Sequence, residues 1–480
     1  MRKMTIQLVG LLGLVLVFSF ACTQDPEVTA GDTGPAAPYE PRVFDDVNPQ
    51  SVEAELVAAP GLPEFPDCTG EPRNVLVTLQ TQEYEAEIAP GITYTFLSFE
   101  GAVPGPAIVV CLGDWVEVTL KNPSDSMHAH NVDFHAATGD LGGGGVSIVA
   151  PGEQTTFRFQ AIKEGAFVYH CAIPPIPMHV TSGMYGSIIV LPKGGLPDVD
   201  KQFYLMEGDF YTEPSKDDPT HHVYSPERIS NENPSFVVTN GKVGALTGED
   251  ALRVSVGDKV RFFYGQANDE SWIHIIGGHF DVVYGRGSFH PDSSREYGVE
   301  TTAVAAGSTT VAEYTFRYPG VYLLVNHKLI RATEKGQAVQ IIVEGETDPN
   351  LMTVTSPPSP VEGVVARPTA TPVTSGNDEP ADAPVAAGDD TFVSLQDPSG
   401  SGEYIFDEAD LTFGVGESVN FVLEAEGEFH TFTVEELGIN VAVTAGATEE
   451  LSFTFDTAGK YELICVPHKA LGMVGTITVQ

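Results

Sequence analysis

The sequence predicts an all-β protein built from three copies of one β-sandwich. Val, Thr, Phe and Tyr recur in short alternating runs, and no long helical period interrupts them. Turn formers are abundant, with 49 Gly and 35 Pro, while charged residues make up only 19%. A faint repeat completes the case. A Gly-acid turn precedes a strand at Gly113-Asp114, Gly257-Asp258 and Gly416-Glu417. A Gly-led aromatic strand closes each copy at Gly165–Tyr169, Gly320–Tyr322 and Gly459–Leu463. A coincidence of common turn chemistry is the plain alternative, but agreement at both ends of all three copies argues against it.

Taken in order, the 480 residues divide as follows. Residues 1–22 are expected to be an export signal. Arg2 and Lys3 precede an apolar run from Ile6 to Phe20, too short to span a membrane. Cys22, after Ala21, is a candidate for lipid attachment and hence membrane anchoring. Ser19 and Phe20 are not the usual residues before a lipidated Cys, so plain cleavage is the competing expectation. Residues 23–60 read as a flexible tether, polar and rich in Pro, Gly and Ala at its start. The first sandwich is expected over 61–195, with strands such as Val75–Gln80 and Thr93–Phe99. The second is expected over 196–350, with Lys259–Tyr264 and Val321–Val325 as strands. Residues 351–390 carry Ser-Pro-Pro-Ser-Pro and Arg-Pro-Thr-Ala-Thr-Pro and read as an extended linker. The third sandwich occupies 391–480.

Formal net charge is −42. Such a surface repels nucleic acid and steers basic partners. Of five cysteines, Cys22 belongs to the signal, and Cys171 and Cys465 sit among metal-ligand residues. Cys68 and Cys111 remain, and in an exported chain the leftover pair suggests a disulfide over two free thiols.

The chemistry concentrates in the first sandwich. His128-Ala129-His130-Asn131-Val132-Asp133-Phe134-His135 is followed by Tyr169-His170-Cys171, His179 and Met184. Two imidazoles, a thiolate and a weak thioether make a blue-copper donor set. Cys171, His179 and Met184 offer three of these in one stretch, and His130 offers the second imidazole. Side chains on a strand alternate faces. His170 and Cys171 therefore point opposite ways, as do His130 and His135 if their strand is regular. One consistent solution puts His130 with Cys171, and His135 with His170 and Asp133. Two metal sites then stand back to back, joined by the His170–Cys171 peptide. A buried, hydrogen-bonded set of His and Cys is the bland alternative, and the whole donor set at this spacing argues against it. His128 has no assigned partner and reads as a surface or supporting residue. Gly142–Gly145 reads as close backbone packing near the site or as a loose turn; no Lys or helix start follows to make it a phosphate loop.

The second sandwich has no Cys, but offers Trp272-Ile273-His274-Ile275-Ile276-Gly277-Gly278-His279 and Val325-Asn326-His327. A His from here can complete a three-imidazole site with an open position, the mark of a catalytic metal. Residues 74 to about 352 resemble copper nitrite reductases. The motifs that carry the likeness are Val103-Pro104-Gly105-Pro106, the run from His130 to Gly139, Tyr169-His170-Cys171-Ala172, His274 to His279, and Val325-Asn326-His327. The short Cys171–His179 loop resembles a subgroup with lipid-anchored members.

The resemblance implies that His130, Cys171, His179 and Met184 hold a type 1 copper. It implies that His135, His170 and His327 hold a type 2 copper that binds nitrite. It implies a homotrimer, with His327 supplied by the neighbouring subunit. Asp133 and His274 match the proton-delivering pair, and Ile276 matches the residue that crowds the open position. Independently, nitrite reduction to nitric oxide takes one electron and two protons, and a carboxylate with an imidazole can serve as general acids.

Residues 392–480 resemble plastocyanin-like cupredoxins. His430, Cys465, His468 and Met473 would hold a further type 1 copper. With no spare His for catalysis, this domain is expected to relay electrons from an external donor such as a small cytochrome or cupredoxin, its linker raising the local concentration. The expected location is extracytoplasmic, in the periplasm. A multicopper oxidase is the rival enzyme. Its trinuclear site needs several His-Xaa-His pairs, and only His128-Ala129-His130 has that form. A pure electron carrier is the second rival, and gives Asp133, His274 and His327 nothing to do.

Overall fold

A computed structural model describes residues 49–353, 355–356, 390–396, 404–425, 430–443 and 447–480. The expected signal, Cys22, most of the tether and nearly all of the Pro-rich linker lie outside the described residues. The described chain forms three two-sheet sandwiches of the cupredoxin type, almost free of helix.

Each sandwich follows from alternation. In the strand Trp115–Lys121, Val116, Val118 and Leu120 are fully buried while their neighbours are half-buried. Each such side chain contributes roughly 1.5–3 kcal/mol of hydrophobic free energy. The first sandwich packs a seven-stranded sheet centred on Asn74–Ala89 over a four-stranded sheet. The order of that second sheet is Ile108–Cys111, Tyr185–Leu191, Gly165–His170, Asp133–Phe134. The second sandwich pairs a six-stranded sheet with a five-stranded one, in which Gly320–Asn326 lies between Ser271–Ile276 and Val339–Glu344. The third pairs a four-stranded sheet with a five-stranded one containing His430–Val434 and Gly459–Ile464.

The three Gly-acid turns are structurally equivalent. Gly113, Gly257 and Gly416 have φ of 96°, 101° and 82°, a region that favours glycine. The next acid folds back on the turn in each. Cys111 N–H donates to Asp114 Oδ2, Ser255 N–H to Asp258 Oδ2, and Gly414 N–H to Glu417 Oε2. One local solution recurs because each copy must reverse the chain at the same place in its sandwich.

The first two sandwiches share an apolar seam. Val109, Ile189 and Leu191 pack with Phe263, Tyr284, Phe289 and Val311. Beside it a disulfide joins Cys68 to Cys111.

Candidate metal centres

The first cluster sits at one end of the first sandwich. His130, just before Asp133–Phe134, is held by a backbone bridge to Val149. Cys171 leaves the strand Gly165–His170, and His179 lies in the short helix Ile176–Val180. Cys171 Sγ lies 3.9 Å from His130 Nδ1 and 3.5 Å from His179 Nδ1. All three side chains are buried. Met184 is fully buried in the same core, and Cys171 N–H donates to its carbonyl at 3.1 Å.

Electrostatics fit this set to a soft cation. Burial pushes the Cys171 thiol up to about 11 and holds His130 and His179 down at about 4. Both imidazoles are thus neutral at neutral pH, ready to donate lone pairs, and a thiolate here needs a cation to offset its charge. Copper suits one thiolate, two imidazoles and a thioether.

The second cluster lies on the other side of the same strand. Asp133 pairs in register with His170, and Phe134 with Tyr169. His135 Nε2 and His170 Nε2 approach to 3.1 Å, and Asp133 Oδ2 lies 3.9 Å from His170 Nε2. The Cys171 carbonyl can only accept, so His170 Nδ1–H must donate to it across 3.0 Å. That bond fixes the tautomer and leaves Nε2 free as a ligand. Burial, with His170 beside it, lowers the His135 pKa. The regular strand assumed in the sequence argument is only two residues long here, yet the predicted separation of faces is what the structure displays.

Gly142 explains the glycine run. Its φ is 64°, and a Cβ there would fall on Asp133 Oδ1 and on the Phe134 carbonyl. Gly144 likewise lies against Asn131 and Asp133, and Asn131 Nδ2 donates to its carbonyl at 2.8 Å. The run is therefore a close-packed wall behind Asp133.

His327 does not join this cluster. Among the described residues, the histidine site of one chain holds only Asp133, His135 and His170. His327 stands elsewhere, its ring 5.3 Å from that of His274. The strand Ser271–Ile276 alternates, burying Ile273 and Ile275 and turning Trp272, His274 and Ile276 outward. Trp272 and His274, with Glu300, Thr301, His327 and Lys328, border an open hollow of about 650 Å³. His274 Nδ1–H donates to the Glu300 carbonyl at 2.6 Å, leaving Nε2 for chemistry. Leu329 and Ile330, just past His327, are 52% and 66% exposed, so an apolar surface flanks the histidine.

The third cluster repeats the first. Cys465 Sγ lies 3.7 Å from His430 Nδ1 and 3.4 Å from His468 Nδ1, and Met473 Sδ lies 3.2 Å from His430 Nδ1. Burial raises the Cys465 thiol as well. Tyr404 stacks on His468 with ring centres 4.0 Å apart.

Comparison with known proteins decides the family. Over 288 residues the chain is 45% identical to a copper-containing nitrite reductase from Cereibacter sphaeroides, covering 56% of this chain and 76% of the relative. A second, from Pseudomonas chlororaphis, is 41% identical over 332 residues, covering 65% and 90%. The chain belongs to the copper-containing nitrite reductase family. A solved copper nitrite reductase from Nitrosomonas europaea superposes with a TM-score of 0.51 and 30% identity, covering 58% of this chain and 96% of that one. The family model described as multicopper oxidase matches residues 80–195, and that of copper binding proteins of the plastocyanin/azurin family matches 393–480. The first spans only part of the nitrite reductase core. Within the core, the described residues group into the His130–Cys171–His179 cluster and the Asp133–His135–His170 cluster.

Sequence reasoning left His128 unassigned and passed over Glu83. Glu83 Oε1 accepts from Ser126 Oγ at 2.7 Å, Met127 N–H at 2.9 Å and His128 N–H at 3.1 Å, and lies 3.0 Å from His128 Nδ1. His130 Nε2 is 3.6 Å from the same oxygen. One carboxylate thus ties down the loop that carries His130. Nothing in its alternating run, Gln80 to Glu87, marks it.

Proposed function

We propose that the chain reduces nitrite to nitric oxide as a homotrimer, with each catalytic site shared between two subunits. The observation that carries this reading is the split histidine set: His135 and His170 converge in one place while His327 and His274 stand ready on a separate, partly apolar face. A second copy of the chain brings the two halves together, as a closed symmetric ring requires of a head-to-tail contact.

Copper, when bound, supplies the one-electron redox chemistry at both clusters and an open position for the anion at the histidine one. The chain's own residues do the rest. His130, Cys171, His179 and Met184 form the electron-receiving site; His135, His170 and the second copy's equivalent of His327 form the catalytic one. The His170–Cys171 peptide is the covalent link between them, kept rigid by the hydrogen bond from the His170 ring to the Cys171 carbonyl. Converting nitrite and one electron to nitric oxide and water consumes two protons. Asp133, 24% exposed and 3.9 Å from His170 Nε2, would pass the first proton from its carboxyl group to the substrate. His274 Nε2 presents the second proton, its ring aimed by the Glu300 carbonyl. Ile276, 44% exposed in the single chain, would crowd the approach of substrate to the histidine site.

Residues 391–480 relay electrons, since their cluster has a thiolate donor set and no His left over for substrate. An external donor loads this domain or the Cys171 site directly. The chain is exported, in keeping with its N-terminal run and with a disulfide that needs an oxidising compartment; Cys22 is a lipid anchor point.

Complementation tests the shared site. His135→Ala and His327→Ala chains are each expected to be inactive alone. Equal co-expression in random trimers restores about a quarter of wild-type turnover, because one interface in four pairs two intact halves. No recovery on mixing would refute the shared site.

A further inference from the structure

The corner that carries His327 is anchored to a buried carboxylate on a different strand. The strand Lys201–Phe210 delivers Glu207 into the interior at 0% exposure. Its Oε2 accepts from Tyr264 OH at 2.9 Å and Ser271 Oγ at 2.6 Å. Its Oε1 accepts from Gln266 Nε2 at 3.3 Å, Asn326 Nδ2 at 3.0 Å and Arg331 at 3.1 Å. Five donors saturate the lone pairs of one carboxylate.

Those donors bracket the catalytic face. Asn326 immediately precedes His327, and Arg331 follows one helical turn later, reaching Asp209 and Asp269 as well. Ser271 starts the strand that bears Trp272, His274 and Ile276. Asn326 then spreads the constraint: its Oδ1 accepts from Trp272 N–H at 3.3 Å and Lys328 N–H at 3.1 Å, and its own N–H donates to Gln337 Oε1 at 2.6 Å. His327 N–H donates to the Trp272 carbonyl at 2.7 Å. The hydrogen bond from His327 N–H thus leads through Trp272 and Asn326 to Glu207.

A buried ion pair is weak as a source of stability, since desolvation offsets its Coulomb attraction. A fully satisfied polar network does, however, hold one geometry. We propose that Glu207, acting through Asn326 and Arg331, is the positioning residue that presents His327, and with it His274, to the second subunit in ligating geometry. The proposal rests on the reading that His327 completes the histidine site of another copy.

The test measures copper binding at that site rather than turnover. Full-length wild type, Glu207→Gln, Asn326→Ala and His327→Ala are equilibrated with Cu(II) in a chelator buffer. The histidine-bound copper is followed by its paramagnetic resonance, the thiolate-bound coppers by their blue absorption, and trimer formation by sedimentation. Loss of a group that orients a metal ligand lowers affinity about 10–100-fold. That loss is expected at the histidine copper in both Glu207→Gln and Asn326→Ala, with blue absorption and trimer content at wild-type level. Asn326→Ala leaves the buried charges intact and gives the answer should Glu207→Gln fail to fold. Wild-type affinity in the variants, alongside loss in His327→Ala, would overturn the positioning role and leave the shared site standing. Retention of the histidine copper in His327→Ala would overturn the shared site and the positioning role together.

Discussion

Adding one methyl group at Gly142 is expected to cost the enzyme nearly all of its turnover without removing a single ligand. Two effects act at this position. The backbone is left-handed, at φ 64°, which costs an alanine about 1–2 kcal/mol. The new Cβ also falls on Asp133 Oδ1 and 2.8 Å from the Phe134 carbonyl oxygen. The carbonyl belongs to a paired strand and cannot move; the carboxylate is the end of a short side chain and can. Asp133 therefore turns aside by about an ångström, and misplacement on that scale costs roughly 10²-fold in rate. Gly139→Ala separates the two effects. Its backbone, at φ 94° and ψ 168°, is at least as hostile to a side chain, but a Cβ there meets nothing within 4 Å. Nitric oxide formation from nitrite with a small reductant, beside thermal unfolding of the copper-loaded proteins, reads both. Gly139→Ala should lose stability and keep turnover within about threefold, while Gly142→Ala should lose about 10²-fold. Combining Gly142→Ala with Asp133→Asn should be no worse than Asp133→Asn alone, since both disable one group. Equal turnover in the two glycine variants would refute the argument that the wall exists to place Asp133.

Further outcomes follow from other parts of the chain. Asp133→Asn and His274→Ala should each keep full copper content and lose most turnover; full activity in either would remove that residue from proton delivery. Deleting residues 391–480 should slow turnover with protein donors and spare it with small reductants, and equal loss with both would refute the relay. Burial pushes the Glu313 carboxyl up, but Lys259 and Arg261, each 2.6 Å away, hold it below the usual carboxylate range. Its contribution is complete above the unfolded value of about 4.3 and is lost as pH falls through the lower folded value. Glu313→Gln should thus destabilise by about 3–5 kcal/mol at pH 7, and the gap to wild type should close in acid denaturation below about pH 4. Replacing Cys68 and Cys111 by Ala should cost about 4 kcal/mol for a bridge spanning 43 residues, as chemical denaturation would register.

How much of this was legible beforehand depended on range. The strand Ser271–Ile276 could be read from alternation, and with it the shared outward face of Trp272, His274 and Ile276. In both thiolate clusters the Cys, one His and the Met fall within a short stretch whose order alone names the chemistry, and parity alone separated His170 from Cys171. Glu83 and Glu207 could not be found this way. Each acts across dozens of residues, and in sequence each is one more acid in a chain with 66 of them, Glu83 on an alternating strand and Glu207 on one buried from Tyr204 to Phe210.

The two-faced arrangement around His170 and Cys171 was determined by the sequence itself, because adjacent residues on an extended strand must point apart, whatever surrounds them. Tertiary structure decided what stands behind each face. It placed the Gly142 backbone against Asp133, gathered five donors onto Glu207 beneath His327, and set His327 away from its own chain's His135 and His170. Those relations come from how sheets stack and which surfaces remain exposed, and such long-range packing leaves no local pattern in the order of residues.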